Sequence, residues 1–452
     1  MPRSTTFLGI GALVLAFVAT TVTGTPAALA APSPEPSPPV SGADDEQIAL
    51  TRWQNADDWR TGTAAGLRIL PGPRTGMVMG DSAGSTEYTD PHTGTTATWL
   101  YSTWTSPVTP AASPATELVT SWNATTPPGT WISVEAQATY TDGSTSPWYV
   151  MGRWASRDAD VKRTSVDDQG DGVSSVLTDT LVVDDASAGV LLDAYQLRVT
   201  LYRAPSTAAT PRVWMLAAMA SNVPDRFTVE PSAGGIAWGT ELPVPRRSQN
   251  IHAGNYPEYG GGGEVWCSPT STTMVMEYYD VRPSRRDMAW IEPGYTDPQV
   301  AHAARSTWDY TYEGAGNWPF NTAYAASLGR LDAFVTRLHS LDDLERFIAA
   351  GVPVITSQSF LTTELDGAGY GTTGHLFVVV GFTDEGDVIV NDPASGSNDA
   401  VRRVYPREQF EQIWLRTQRH TSGGEVASGS GGIAYVVKPY RTPLPEGGNG
   451  AW

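Results

Sequence analysis

The sequence predicts a multidomain chain in which an all-β sandwich or jelly-roll-like domain precedes an α+β domain. Residues 47–235 alternate apolar and polar side chains in short segments, and turn-forming clusters divide these segments. Residues 236–440 instead mix helical periodicity with strand-like runs. The single cysteine of the 452-residue chain lies in this second part, between four glycines and a predicted helix.

The first 30 residues are typical of a secretory signal peptide. Arg3 supplies the positive charge, residues 7–22 are mostly apolar, and Ala28-Leu29-Ala30 has the small-x-small pattern of a cleavage site. A proline-rich linker follows over residues 31–46. No later stretch approaches the roughly 18 apolar residues that span a bilayer. We therefore expect a secreted, extracellular protein without a membrane span.

Composition narrows the possible partners. The net charge of −19 at pH 7 argues against binding to nucleic acid and to anionic membrane surfaces. A lone cysteine cannot form an internal disulfide, so an exported chain must keep Cys267 either buried or in use.

The predicted β domain rests on segments of period two. The clearest are residues 131–140 and 195–201, where buried-type and polar residues alternate strictly. Further strands are predicted over residues 97–103, 117–123, 147–154, 174–183 and 212–221. Seven or so strands without a convincing helix favour an antiparallel sandwich or jelly roll.

Two features of this domain have a functional and a structural interpretation. Nine of the 16 tryptophans precede residue 236. They could stack on sugar rings of a cell-wall or surface glycan, but packing in the core and at its edges is the interpretation we favour. Asp167, Asp168 and Asp171 could bind calcium, yet they lack a distal glutamate, so we expect a solvated acidic turn.

The second domain is predicted to begin with helices and to end in antiparallel strands. Ser268 as N-cap and Pro269 at the first helical position predict a helix directly after Cys267. Ser340 predicts a second helix start, and Gly351 its end. Other helices are predicted over residues 297–305 and 320–328, strands over 352–356, 375–382, 387–392 and 433–437, and a C-terminal tail over 441–452.

Cys267 has two interpretations. A thiol at a helix N-terminus feels the positive end of the helix dipole, which favours the reactive thiolate. Alternatively, it is a small buried apolar residue, as many unpaired cysteines are.

A cysteine nucleophile needs a base and a group that orients the base. His375 opens an apolar strand, and Asp392 ends the return strand. If residues 383–386 form the turn, Phe382 pairs with Asp387, and His375 and Asp392 lie diagonally on one face. A three- or five-residue loop without a bulge would put them on opposite faces. Taken one at a time, both residues also have a structural explanation. His375 is explained as a histidine at the end of a strand, and Asp392 as part of an Asp-Pro turn.

Four sequence blocks resemble the bacteriocin-processing, double-glycine-leader cysteine peptidases and their secreted relatives, in the papain-like clan. The blocks are residues 244–249, 266–271, 374–382 and 390–393, within a similarity that covers residues 242–437. The resemblance implies a papain-like fold with Cys267 as nucleophile, His375 as base, Asp392 as orienter and Gln249 in the oxyanion hole. No transporter segment follows, so we expect the secreted branch.

Two departures from that family accompany the match. The segment between Gln249 and Cys267 is longer than in the transporter-linked peptidases, and Glu264 would oppose thiolate formation if it pointed inward.

The expected activity is hydrolysis of peptide bonds in a peptide or protein substrate. One alternative is an amidase or transferase acting on cell-wall peptides, and another is a glycan-binding or surface-binding protein with an inactive peptidase-like domain. We expect no cofactor and no metal, because the sequence has no His-Glu-x-x-His motif and no paired cysteines.

Overall fold

The computed structural model describes residues 47–452. The predicted signal peptide (1–30) and proline-rich linker (31–46) lie outside these described residues. Within residues 47–452, no helix has the length and apolar character needed to cross a bilayer.

The N-terminal region is rich in β-structure. Its strands are β1 (Gln47–Trp53), β2 (Thr63–Ala65), β3 (Leu67–Leu70), β4 (Gly76–Met79), β5 (Gly84–Thr89), β6 (Thr96–Thr105), β7 (Thr109–Ala115), β8 (Glu117–Thr125), β9 (Thr130–Tyr140), β10 (Tyr149–Trp154), β11 (Ser174–Leu177), β12 (Thr180–Val183), β13 (Leu192–Arg203) and β14 (Arg212–Asn222). A short helix, α1 (Ala56–Thr61), follows β1.

These strands form two antiparallel sheets of seven strands each. The first has the order β11-β12-β8-β14-β4-β3, with β1 also paired to β14. The second has the order β10-β9-β13-β6-β2, with β5 paired to β6 and β7 paired to β13. Buried residues of both sheets belong to one hydrophobic cluster, so the sheets share a core.

The longer strands lie where the alternation predicts them. In β9, for example, Ile132, Val134, Ala136 and Ala138 are fully buried. The short strands were not predicted, because β2 is exposed throughout and β4 is buried throughout, and neither pattern has a period of two. The predicted strand over residues 174–183 is a hairpin, β11 and β12, and α1 was missed although Asn55 forms a capping box at its start.

The tryptophans and acidic turn of this region have structural roles. Trp104, Trp122 and Trp154 are almost completely buried. Asp171 accepts hydrogen bonds from the Tyr140 hydroxyl at 2.7 Å and from two backbone N–H groups of its own turn. In residues 47–452 no group of His, Cys, Asp or Glu side chains is arranged to hold a metal ion.

The C-terminal region packs five helices with a six-stranded antiparallel sheet. The helices are α2 (Cys267–Tyr278), α3 (Pro298–Thr307), α4 (Trp318–Ser327), α5 (Leu341–Ala349) and α6 (Arg407–Leu415). The strands are β15 (Leu331–Arg337), β16 (Val354–Phe360), β17 (Thr372–Phe382), β18 (Val388–Asn391), β19 (Arg402–Tyr405) and β22 (Ile433–Pro439), with β20 (Gln418–His420) and β21 (Val426–Ser428) as a separate hairpin. The sheet order is β15-β22-β16-β17-β18-β19.

Helix α2 begins two residues earlier than the sequence predicts. Cys267 is its first residue and Trp266 its N-cap, so the prediction of Ser268 as N-cap was wrong. Eleven of its twelve residues are buried. Because the helix is surrounded by protein, the Ser268 hydroxyl bonds the Tyr435 hydroxyl at 3.1 Å instead of capping the backbone.

The other helices follow the sequence signals closely. The Ser340 side chain accepts from Asp343 N–H at the start of α5, and Gly351 adopts a φ of 75° just after its end, which confirms both predictions. Helices α3 and α4 lie within three residues of their predicted bounds, whereas α6, β15 and β19 were not predicted.

The two regions share a buried interface. The Asn123 side chain of β8 donates to Ala333 O at 2.6 Å and accepts from Ala333 N–H at 3.1 Å. The Ser121 hydroxyl of the same strand accepts from Val335 N–H at 2.9 Å. Strand β8 therefore satisfies backbone groups of β15 inside the molecule, and residues 47–452 lie within one compact unit.

Candidate active site

Cys267 lies buried at the first position of α2 as a free thiol. The first N–H groups of a helix have no partner within it, so this end carries a partial positive charge. The glycines before it let the chain pass close to a neighbouring segment, because a Cβ on Gly262 would lie 2.1 Å from His252 O. The glycine-rich stretch therefore fixes the approach of the chain to the thiol.

His375 and Asp392 share one face of the β17–β18 hairpin, but the register differs from the predicted one. Phe382 pairs with Val388 and not with Asp387, so the loop contains five residues. A β-bulge between Val379 and Gly381 inserts one extra residue. The bulge offsets the longer loop, and the two side chains again point to the same side of the sheet.

The His375 and Asp392 side chains form a buried ion pair. His375 Nε2 lies 2.9 Å from Asp392 Oδ1, and the two side chains are 4% and 0% exposed. With Nε2 directed at the carboxylate, Nδ1 is the ring nitrogen left for the Cys267 thiol, which is hydrogen-bonded to the imidazole. The structure thus brings three of the four predicted residues into one chain of hydrogen bonds.

Asp392 receives more donors than the sequence indicated. Its Oδ2 atom accepts the hydroxyls of Tyr370 at 2.8 Å and Tyr405 at 2.6 Å. Its Oδ1 atom also accepts Ala394 N–H at 2.9 Å. Sequence reasoning missed both tyrosines, since they come from a loop before β17 and from β19, and only the sheet brings them to the carboxylate.

Charge within this group favours a thiolate beside an imidazolium. Burial opposes a charge on His375, but the Asp392 carboxylate and the bond to Cys267 outweigh it and raise the pKa of the imidazole. Burial likewise opposes the thiolate, yet the His375 bond and charge lower the pKa of Cys267 overall. The pKa of Asp392 falls to about 2, because the contacts with His375 and the tyrosines exceed the effect of its burial.

Gln249 lies beside the end of the same hairpin. Its backbone N–H donates to Pro393 O at 2.9 Å, so it is fixed to the residue after Asp392. The residue is 1% exposed, and its Oε1 atom has no hydrogen-bond partner among the described residues. The Gln249 side chain is therefore a buried amide held next to the hairpin end.

Neither Glu264 nor the histidines His252 and His302 compete with this arrangement. Glu264 is exposed to solvent, so its carboxylate does not point inward toward the thiol. Burial lowers the pKa of His252 and of His302 to about 4, so both imidazoles are neutral at pH 7. Their nearest polar partners are the hydroxyls of Tyr295 and Tyr324, respectively, and not carboxylates.

Comparison with known sequences assigns this part of the chain. The family model described as Peptidase_C39 like family matches residues 241–422. The C-terminal region belongs to the C39-like peptidase family. A second model, described as Peptidase C39 N-terminal domain, matches residues 49–221, so the β-rich region is also of a kind found with C39 peptidases. Membership of this family supports a cysteine peptidase-type function.

Two solved structures are similar to parts of this C39-like chain. A C39-like peptidase from Bacillus anthracis has 19% identity, covers 45% of this chain and 99% of its own, and superposes with a TM-score of 0.27. A carbohydrate-binding module of the β-sandwich superfamily has 12% identity, covers 39% of this chain and 56% of its own, and has a TM-score of 0.17. No curated protein sequence matches the chain.

Proposed function

We propose that this protein is a cysteine hydrolase that cleaves peptide bonds with Cys267 as nucleophile, His375 as acid and base, and Asp392 as orienter. The observation that carries the proposal is the buried chain of hydrogen bonds from the thiol through the imidazole to the carboxylate. It contains the nucleophile, base and orienting group that acyl transfer needs.

The proposed reaction has two steps. The Cys267 thiolate attacks the carbonyl carbon, and the His375 imidazolium protonates the departing amine, which leaves a thioester. His375, now neutral, takes a proton from water as the hydroxide attacks the thioester. Cys267 leaves as the thiolate, and the released carboxylic acid loses its proton to solvent. Asp392 holds the imidazole and stabilises its charge in both steps.

An oxyanion hole completes the proposal. The Cys267 N–H at the helix N-terminus and the Gln249 side-chain amide would donate to the developing oxyanion. Each such donor contributes roughly 3 kcal/mol in comparable sites. The buried position of Gln249 beside Pro393 supports this role.

We further propose a papain-like α+β fold for the C-terminal region and a secreted location for the protein. A nucleophile at the N-terminus of a buried helix and a base on the adjoining sheet support the fold. The signal-peptide pattern in residues 1–30 supports export.

Covalent labelling tests the proposed ion pair. At pH 7, iodoacetamide should alkylate Cys267 in the wild-type protein at least tenfold faster than in His375→Ala, because the variant loses the group that lowers the pKa of the thiol. His420→Ala is the control, because it removes an exposed histidine that is not one of the proposed site residues. Equal labelling rates in wild type and His375→Ala would contradict the ion pair, and undiminished peptide hydrolysis by Cys267→Ala would contradict the whole proposal.

We propose glycan binding by the β-rich region as a second function, on the basis of one surface. A shallow cleft of about 560 Å³ lies on the second sheet. Tyr101 on β6 is the cross-strand partner of Tyr202 on β13, and the centres of their rings lie 6.5 Å apart. Thr103 and Thr200 form a neighbouring pair on the same two strands. Next along the cleft, Arg198 and Glu135 neutralise each other through two hydrogen bonds of 2.7 Å.

Aromatic faces beside hydroxyls, without net charge, suit an uncharged sugar chain. Retention of the protein on an insoluble neutral cell-wall polysaccharide should fall at least fivefold in Tyr101→Ala. Leu70→Ala changes an exposed apolar residue on the other sheet and should behave as wild type. If Tyr101→Ala is retained as well as the control, this surface does not bind the glycan.

A further inference from the structure

The turn between β11 and β12 joins the β-rich region to the helices of the candidate site. Asp179 in this turn is buried, and its Oδ2 atom accepts Trp318 N–H, at the first position of α4, at 2.7 Å. Helix α4 contacts α2 directly, through the Thr272 hydroxyl and Asn321 Oδ1 at 3.3 Å. The turn is therefore fixed against the helix pair that carries Cys267.

A second segment of the β-rich region holds the loop of residues 308–312. Arg163 is buried and donates to Trp308 O at 3.2 Å, and its own carbonyl accepts Tyr310 N–H at 3.0 Å. Ser165 N–H donates to Asp309 Oδ1 at 2.9 Å. Asp309 Oδ1 also accepts Tyr312 N–H, so this clamp positions Tyr312.

Tyr312 lies within electrostatic range of both the β11–β12 turn and the thiol. Although the side chain as a whole is about half exposed, partial burial of the hydroxyl, together with the charges of Asp179 and Cys267, raises its pKa. The buried Tyr435 hydroxyl, which bonds Ser268 next to Cys267, responds to the same two charges and to Tyr312. Asp179, Tyr312 and Tyr435 therefore form one neighbourhood around the nucleophile, although Asp179 comes from the other region.

Exposed apolar side chains accompany these residues along the chain. Leu177, two residues before Asp179, is 62% exposed, and Tyr312 is 52% exposed. Val265, two residues before the nucleophile, is 49% exposed. These are three of the most exposed large apolar side chains in the described part of the chain, which is expected of a binding surface and not of a core.

We propose that the β11–β12 turn and the 308–312 loop form one wall of the substrate cleft, where Leu177 and Tyr312 contact an apolar side chain of an extended peptide. This inference rests on the proposed peptidase function and deepens it. The β-rich region then contributes directly to substrate selection and does not act only as an appended domain.

The test uses the full mature chain and a mixture of peptides that differ near the scissile bond. For substrates with a large apolar residue at the selected position, Leu177→Asp and Tyr312→Ala should each lower kcat/KM about tenfold or more, while polar-substrate rates change less. Val426→Asp, at a residue 61% exposed on the β20–β21 hairpin, is the matched control and should leave the preference unchanged. Alkylation of Cys267 by iodoacetamide should remain within twofold of wild type in Val426→Asp.

The outcomes separate this inference from the proposed function. The inference is overturned if both wall variants keep the wild-type ratio of kcat/KM for apolar to polar substrates. It is also overturned if Val426→Asp changes this ratio as much as the wall variants do. A wild-type protein that cleaves no peptide, or a Cys267→Ala variant that retains activity, overturns the proposed function and the inference together.

Discussion

Replacing Asp392 with asparagine is expected to lower kcat/KM for peptide hydrolysis by about 10⁴-fold, by analogy with the orienting carboxylate of other triads. Four groups donate to this carboxylate: the His375 ring, Ala394 N–H and the two tyrosine hydroxyls. An amide of the same shape keeps an acceptor for His375 but carries no negative charge. Burial then dominates the pKa of His375 and pushes it down, since the opposing effect of Asp392 is lost.

The pH profile gives this prediction a second readout. The pKa of Cys267 lies below its usual value and that of His375 above it, so activity should rise as the thiol ionises and fall only when the imidazolium loses its proton. In Asp392→Asn the acidic side of the pH–activity profile should shift to higher pH and the alkaline side to lower pH. The variant should therefore be active over a narrower pH range. Tyr405→Phe keeps the charge and removes one donor, so it should lower the rate far less. A profile identical to wild type in Asp392→Asn would exclude the carboxylate from the ion pair.

The sequence was sufficient to propose Cys267, His375 and Asp392 as candidate site residues, because the order of a helix start, a strand start and a strand end is visible along the chain. It was not sufficient to predict how the last two meet. The predicted turn was one residue too short, and the bulge between Val379 and Gly381 compensates for the difference. No alternation of apolar residues reveals such a bulge, since all of residues 375–382 are buried.

The contributions of distant segments were also beyond sequence reasoning. Tyr405 reaches Asp392 because β19 pairs with β18. Asp179 reaches α4 because β12, which follows its turn, pairs with β8, and β8 packs against α4. Neither residue lies within the predicted motifs. Contacts between residues far apart in the chain depend on the packing of whole sheets, which period-two patterns do not specify.

Asp179→Asn is expected to stabilise the protein at alkaline pH and to have little effect near pH 4. Burial, with a smaller contribution from Asp309, raises the pKa of Asp179 from 3.8 to about 7, although Trp318 N–H and the Thr180 hydroxyl favour the ionised form. Because the folded pKa lies above the unfolded one, folding favours the protonated acid. Its contribution to stability is complete below about pH 4, decreases as pH rises toward 7, and stays reduced above that.

Asparagine removes this dependence, since it stays neutral and its oxygen can still accept Trp318 N–H. A shift of this size corresponds to at most about 4 kcal/mol, and structural relaxation reduces it, so we expect a gain of about 2 kcal/mol at pH 8.5 in the free energy of unfolding by urea. Asp142→Asn is the control, because that carboxylate is exposed and hydrogen bonds from Ser144 lower its pKa, so it should give no alkaline gain. A difference between Asp179→Asn and wild type that is the same at pH 5 and pH 8.5 would show that folding does not raise the pKa of Asp179. In that case the carboxylate would already be ionised at pH 5, and a charged group would accept Trp318 N–H throughout this pH range.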